Sequence, residues 1–311
     1  MNETIIEVNS IDKSFSTQKV IDNLSFAVKR GEIVGFLGPN GSGKTTTIRL
    51  LNGVITPDSG QIKVWGLDPV DSGEDIRRRS GVMTESAGLY RSLSGIDNLR
   101  FFAGLYGVDK PEPRIKELLA DFGLYEARNK KVGAYSSGMK KRLGIAKALL
   151  HSPELLFLDE PTTGLDPEGT RDLLGYIGEL NRKSQVTIFL CTHLLKQVES
   201  LCHKFIFIAS GRILETGALG EIETKYLGEV NLKVETDLSV SGDDFHGYPI
   251  VSREPGYVIF RVEQKARIPE ILKILLQEAP VYGAEIMGRD LETLYFKVLA
   301  KVVGRRASDE H

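Results

Sequence analysis

Gly38-Pro39-Asn40-Gly41-Ser42-Gly43-Lys44-Thr45 is the stretch on which the reading of this chain turns. It fits GxxxxGK[ST], and its flanks matter as much as its letters. A β-branched and apolar run, Glu32 to Leu37, leads straight into it, and the helical pattern Thr46 to Leu51 leads out. Strand, glycine-rich loop and helix in that order are what a P-loop requires. The glycines let the backbone curl until several N–H groups point into one hollow, and the positive end of the following helix adds to them, so phosphates bind there. Lys44 then reaches the β and γ phosphates, and the Thr45 hydroxyl is placed for magnesium.

Working outward, Leu155 to Leu158 is a continuous apolar run, as a strand buried on both faces should be, and it ends in Asp159-Glu160. Acids at a strand end often serve only as helix caps. Here Pro161 follows, and the carboxyl edge of a parallel sheet is where ligands of α/β proteins sit. Asp159 suits a magnesium-holding role, and Glu160 is placed to polarise a water for in-line attack on a γ-phosphate. Val186 to Cys191 is a third strand, delivering Thr192 and His193 at its carboxyl end. Between the strands lie helical patterns with apolar residues at the right period: Leu99, Phe102, Ala103 and Tyr106; Met139, Leu143, Ala146 and Leu150; Leu173, Leu174, Ile177 and Leu180. Phe205 to Glu215, broken at Ser210-Gly211, reads as a β-hairpin.

The 311 residues are 41% hydrophobic and 26% charged, ordinary values for a globular chain able to bury a core. Forty Lys and Arg stand against 42 Asp and Glu, a formal charge of −2, so no global positive field draws nucleic acid or an anionic membrane. Two cysteines, Cys191 and Cys202, are too few for a disulfide framework. Met1 to Ser10 lacks the basic and apolar regions of a secretory leader, and no apolar run approaches the ~20 residues that span a bilayer. Beyond Gly217 the pattern changes. Val230, Leu232 and Val234 alternate with polar residues, Tyr257 to Val262 is a second strand, and Ile268 to Gln277 and Leu291 to Val303 are helical. The chain is therefore expected to be α/β over residues 1–220, with a smaller α+β domain over 221–304 and a frayed charged tail over 305–311.

At Tyr135-Ser136-Ser137-Gly138-Met139, followed by Lys140-Lys141-Arg142, the sequence resembles a known family. The pentapeptide is similar to the LSGGQ signature of ABC ATPases, with Tyr135 for Leu, Ser137 for the first Gly and Met139 for Gln. Ser136 and Gly138 keep the two positions that matter most. On physical grounds a Ser and a Gly at a helix amino terminus form an anion site, although SxG before a helix is also an ordinary N-cap. Order and spacing make the resemblance specific. Thr163-Gly164-Leu165-Asp166 resembles the D-loop, Thr192-His193 the switch histidine, and Phe15 the aromatic that stacks on adenine, although a core aromatic is the plain alternative. The other histidines, His151, His203, His246 and His311, are expected to have no catalytic role. Glu85, in Ser80-Gly81-Val82-Met83-Thr84-Glu85, stands where the family carries Gln, adding a negative charge beside the phosphates.

The resemblance covers residues 4 to 217. It implies ATP and Mg2+ as ligands, with Phe15 on the base and Gly38, Pro39, Asn40, Gly41, Ser42, Gly43, Lys44, Thr45 and Thr46 around the phosphates. Thr45, Asp159 and Glu85 would serve the metal, and Glu160 and His193 catalysis. Ser136, Ser137, Gly138 and Asp166 would reach the ATP of a partner subunit. It implies a homodimer, or a dimer with a sister ATPase, closing head to tail. It also implies integral-membrane permease subunits, received at the segment Gly88 to Tyr106, and a peripheral place on the cytoplasmic face of the cell membrane. By composition alone that segment is equally a plain surface helix. Asp290-Leu291-Glu292-Thr293-Leu294-Tyr295 resembles the acidic segment that often closes exporter subunits. The alternative, a non-transport ABC ATPase acting on nucleic acid or ribosomes, lacks its usual long heptad insertions, second ATPase half or basic stripe here. A regulatory module with a dead site is opposed by intact Lys44, Asp159, Glu160 and His193.

Overall fold

The structure, a computed structural model, describes residues 3–226, 229–240, 242–288 and 290–309, with side chains to residue 302. The chain divides into two compact units, Met1–Ala218 and Leu219–His311.

The first unit begins with two long antiparallel strands, β1 (Thr4–Phe15) and β2 (Gln18–Lys29). There follow β3 (Ile33–Leu37), α1 (Lys44–Leu51), β4 (Ser59–Val64), α2 (Pro69–Arg79), β5 (Ser80–Met83), α3 (Gly95–Leu105), α4 (Glu112–Asp121), α5 (Ser137–Ala148), β6 (Leu155–Asp159), α6 (Pro167–Ser184), β7 (Thr187–Thr192), α7 (Leu195–Val198), β8 (Lys204–Ala209) and β9 (Arg212–Gly217). Six strands form one sheet in the order β5-β6-β7-β3-β8-β9, parallel except for the β8-β9 hairpin. Strands β3, β6 and β7 are buried along their whole length, which is why they read as unbroken apolar runs.

A second sheet, β2-β1-β4, is antiparallel and was not anticipated from the sequence. Ile5, Ile6, Val8, Ile11, Ile21, Leu24, Phe26 and Val28 from it join Phe36, Phe157 and Phe189 of the parallel sheet in one core. Phe26, Phe36 and Phe189 meet with ring centroids 5.2–5.8 Å apart. Each such ring contributes stability on the order of 3 kcal/mol, the lower end of what deleting a buried aromatic costs.

The second unit contains α8 (Leu219–Tyr226), β10 (Val230–Thr236), β11 (Asp244–Phe245), β12 (Tyr248–Glu254), β13 (Tyr257–Val262), α9 (Ile268–Glu278), β14 (Val281–Met287) and α10 (Leu291–Asp309). Its sheet is antiparallel, ordered β11-β12-β13-β10-β14. Val230, Leu232 and Val234 face inward against Phe260, Ile271 and Leu275, as the alternation requires. Helix α10 runs past the expected end at Val303 to Asp309. The last two residues, among them His311, lie outside the described residues. No described helix is long and apolar enough to cross a membrane.

Candidate ATP site

The loop between β3 and α1 is shaped by what no side chain could occupy. A Cβ at Gly38 would stand 2.2 Å from the Ile208 carbonyl oxygen, and Gly43, at φ 104°, caps α1 with its backbone in the left-handed region. Ser42 is buried and its Oγ has no hydrogen-bond partner, an orphaned donor inside the loop. Pro39, Asn40, Gly41 and Thr46 complete the turn and the first helical positions. Lys44 folds back over the loop, its Nζ donating to the carbonyls of Gly38 (2.8 Å) and Pro39 (3.1 Å) and lying 3.3 Å from Oε1 of Glu160.

Strand β6 brings both acids to the same place. The Thr45 hydroxyl donates to Oδ2 of Asp159 at 2.7 Å, while Oδ1 of Asp159 is buried with no hydrogen-bond partner. Burial pushes the Asp159 carboxyl above its ordinary value; the Thr45 hydrogen bond counters this, and the charge of Glu160 adds to the rise. An orphaned, desolvated carboxylate oxygen beside a hydroxyl is a donor set that suits Mg2+, which prefers oxygen and is usually held through one or two protein ligands plus phosphates and water. No described cluster of three His, Cys, Asp or Glu could hold a metal by itself. Glu85 does line the same cavity of about 670 Å3 as Thr45, Asp159, Arg49 and Arg77.

Glu160 is held from several sides. Oε2 lies 3.0 Å from Nδ1 of His193 and accepts from Thr163 and Thr192 hydroxyls, both at 3.2 Å. Burial pushes its carboxyl up, but the His193 hydrogen bond and the Lys44 charge outweigh this and leave it below the ordinary glutamate value. Its backbone is left-handed, at φ 50°, a conformation that non-glycine residues adopt at a cost.

The remaining predicted residues lie on helix starts and exposed turns. Ser136 caps α5, its Oγ accepting from Met139 N–H at 3.2 Å, and Asp166 caps α6, accepting from Gly169 N–H at 2.8 Å. Ser136, Ser137 and Asp166 are exposed and Gly138 half-buried. Tyr135, in place of the family's Leu, is buried and donates to the Ala127 carbonyl, fixing the turn. Phe15, 45% exposed at the end of β1 with Lys13 Nζ 5.6 Å from its ring, is not a core aromatic. The turn before α3 is locked by Asn98, which bonds both the N–H and the C=O of Tyr90, leaving Tyr90, Phe101 and Leu105 exposed. Three of the other histidines make backbone bonds or surface pairs: His203 accepts from Ile33 N–H, His151 contacts the Ser80 carbonyl, and His246 pairs with Glu278.

One residue at this site was missed. Lys141 of α5 is buried, and its Nζ donates to the carbonyls of Glu85 (2.8 Å) and Glu160 (2.9 Å). Its sequence signal was slight, a basic residue one turn into an amphipathic helix.

Comparison with known proteins supplies the family. Residues 21–163 match the family model described as ABC transporter. The bacitracin transport ATP-binding protein BcrA of Bacillus licheniformis is 45% identical over 212 residues, 68% of this chain and 69% of that protein. The ABC transporter ATP-binding protein YxlF of Bacillus subtilis (strain 168), itself uncharacterized, is 38% identical over 95% of this chain and 99% of its own length. A solved ATP-binding subunit of an ABC transporter superposes with a TM-score of 0.64 at 33% identity, covering 71% of this chain and 93% of that one.

Proposed function

The chain belongs to the family of ABC transporter ATP-binding proteins, and from that premise we propose that it hydrolyses ATP in a head-to-tail dimer to drive export by separate membrane subunits. The observation that carries this reading is the setting of Glu160. A buried carboxylate with a lowered proton affinity sits between Lys44 and His193, beside the Thr45–Asp159 pair. That is what a general base opposite a γ-phosphate needs.

In this reading Phe15 carries the base and the Gly38–Thr46 backbone cradles the phosphates. Thr45 and Asp159 would hold Mg2+, which would neutralise phosphate charge, and Glu85 at the cavity wall would meet the metal only through a metal-bound water. Lys44 exchanges its own loop carbonyls for phosphate oxygens. Glu160 takes a proton from water as the water oxygen bonds to the γ-phosphorus; the bond to the β-phosphate oxygen breaks and its electron pair leaves with ADP. His193 keeps the carboxylate aimed. Ser136, Ser137 and Asp166, which are exposed, and the half-buried Gly138 close over the ATP of the partner, another copy or a sister ATPase. Two ATP thus complete the interface, and hydrolysis reopens it. The exposed Tyr90, Phe101 and Leu105 are proposed to receive the permease subunits, which places the chain on the cytoplasmic face of the membrane. The export direction is supported by the name of a relative, the fluoroquinolones export ATP-binding protein of Mycobacterium tuberculosis.

Gentle detergent extraction of the tagged native protein, with mass spectrometry of stoichiometric partners, tests this reading. A partner carrying several spans of about 20 apolar residues supports it. Recovery only of soluble or ribosomal components with ATPase activity retained would replace transport by the non-transport alternative.

A further inference from the structure

We propose that Lys141 is a positioning residue that ties the signature helix α5 to the hydrolytic half of its own subunit's ATP site, through the backbone carbonyls of Glu85 and Glu160. The inference rests on the ATPase reading above and deepens it.

A lysine that is 8% exposed is costly unless its charge is answered. Desolvation pulls the Lys141 ammonium down, opposed by the charges of Glu85, Glu160 and Asp159. Its two hydrogen bonds go to carbonyls of two different segments, the loop after β5 and the end of β6. The second carbonyl belongs to a non-glycine residue of the site that is held in a left-handed conformation. Such a backbone persists only where its surroundings over-determine it. At Glu160 the N–H is fixed by the Cys191 carbonyl at 2.9 Å, and the C=O accepts from Lys141 Nζ at 2.9 Å and from Thr163 N–H at 3.4 Å. Removing the ammonium takes away the shorter, charge-assisted bond of that carbonyl, leaves it only the long Thr163 bond, and lets the peptide carrying the catalytic carboxylate relax.

The same helix grips the loop again further along. Lys147, also buried, donates to the Ala87 carbonyl at 2.6 Å and lies 4.7 Å from the ring centroid of Phe102 on α3. Between the two lysines stands Gly144, where a Cβ would come within 2.7 Å of Ala87 Cβ. Segment 85–87 is therefore fastened to α5 at both ends with no gap between, and its movement is α5's movement. The helix that carries Ser136 toward a partner's ATP is thus coupled, through one ammonium, to Glu160 of its own subunit.

The test compares full-length wild type, Lys141→Met and Lys141→Gln for steady-state ATPase activity and for MgATP affinity. Methionine keeps the stem and removes all three donors; the shorter glutamine amide reaches one carbonyl at most. The inference predicts a fall in kcat of about tenfold or more for Lys141→Met, as expected for loss of a hydrogen bond to a charged donor, and a smaller fall for Lys141→Gln. Affinity should stay within about twofold, since a role confined to positioning the hydrolytic half leaves ground-state binding alone. If Lys141→Met does not fold, Lys141→Gln decides by the same two readouts. Wild-type kcat in the folded variants, or loss of affinity in proportion to kcat, would overturn the positioning role while leaving the ATPase reading intact. A wild-type protein that binds MgATP without hydrolysing it would overturn both.

Discussion

Nδ1 of His193, at the end of β7, lies 3.0 Å from Oε2 of Glu160, at the end of β6, two side chains 33 residues apart brought together by parallel pairing of adjacent strands. The contact lowers the proton affinity of Glu160 against the upward push of burial. A carboxylate with a depressed pKa is ionised throughout the range above its ordinary value of 4.5 and loses its charge only as pH falls through the lower native value. His193→Ala removes a lowering contribution and the group that aims the base. We expect kcat to fall by about two orders of magnitude, within the range for general-base contributions. The acid limb of its pH profile should move to higher pH. A profile unshifted at full kcat would contradict the assignment.

Asp159 shows the opposite sign. Its native pKa is raised, so the ionised form costs stability above the unfolded value of 3.8, and that cost vanishes as pH falls below it. Asp159→Asn should raise the melting temperature of the nucleotide-free protein at neutral pH, with the gain disappearing in acid, while MgATP hydrolysis is lost. Calorimetry across pH reads both arms, and a lower melting temperature at neutral pH would count against the burial argument.

Glu85 shares the cavity wall with Thr45 and Asp159. Glu85→Gln removes one negative charge beside the phosphates, and the Lys141 bond to its backbone carbonyl is untouched. MgATP should bind a few-fold tighter, on the order of 1 kcal/mol for charges several ångströms apart at a partly exposed site. Titration calorimetry showing weaker binding would mean that the carboxylate serves the metal directly.

Gly144→Ala probes the contact of α5 with Ala87. The added methyl would stand 2.7 Å from the Ala87 Cβ, and overpacking of this kind costs about 1–3 kcal/mol. Urea denaturation should show a lower midpoint at unchanged slope; an unchanged midpoint would show that the segment yields without strain.

What was legible in the sequence was whatever is repeated by a regular physical pattern. Strands β3, β6 and β7 are buried on both faces and therefore read as unbroken apolar runs, and Gly38 and Gly43 of the loop are set by close approaches that only glycine permits. The antiparallel sheet was not legible because β1 is broken by register shifts near Val8, Ile11 and Lys13, which scramble its period-two alternation. Lys141 was not legible for another reason. Its partners are backbone carbonyls, which carry no sequence signal, and a lysine on a helix ordinarily faces solvent. The exposure of Phe15, by contrast, excludes the core packing that its neighbours in sequence left open.

If each ATP is completed by the exposed turns of a second subunit, the Glu160→Gln variant, which keeps the Lys44, Thr45 and Asp159 contacts while withholding the general base, is the form to sediment with and without MgATP. It should be a monomer without nucleotide and a stable dimer with MgATP that Ser136→Arg abolishes. A Glu160→Gln protein that binds MgATP and remains monomeric at every concentration would contradict that arrangement.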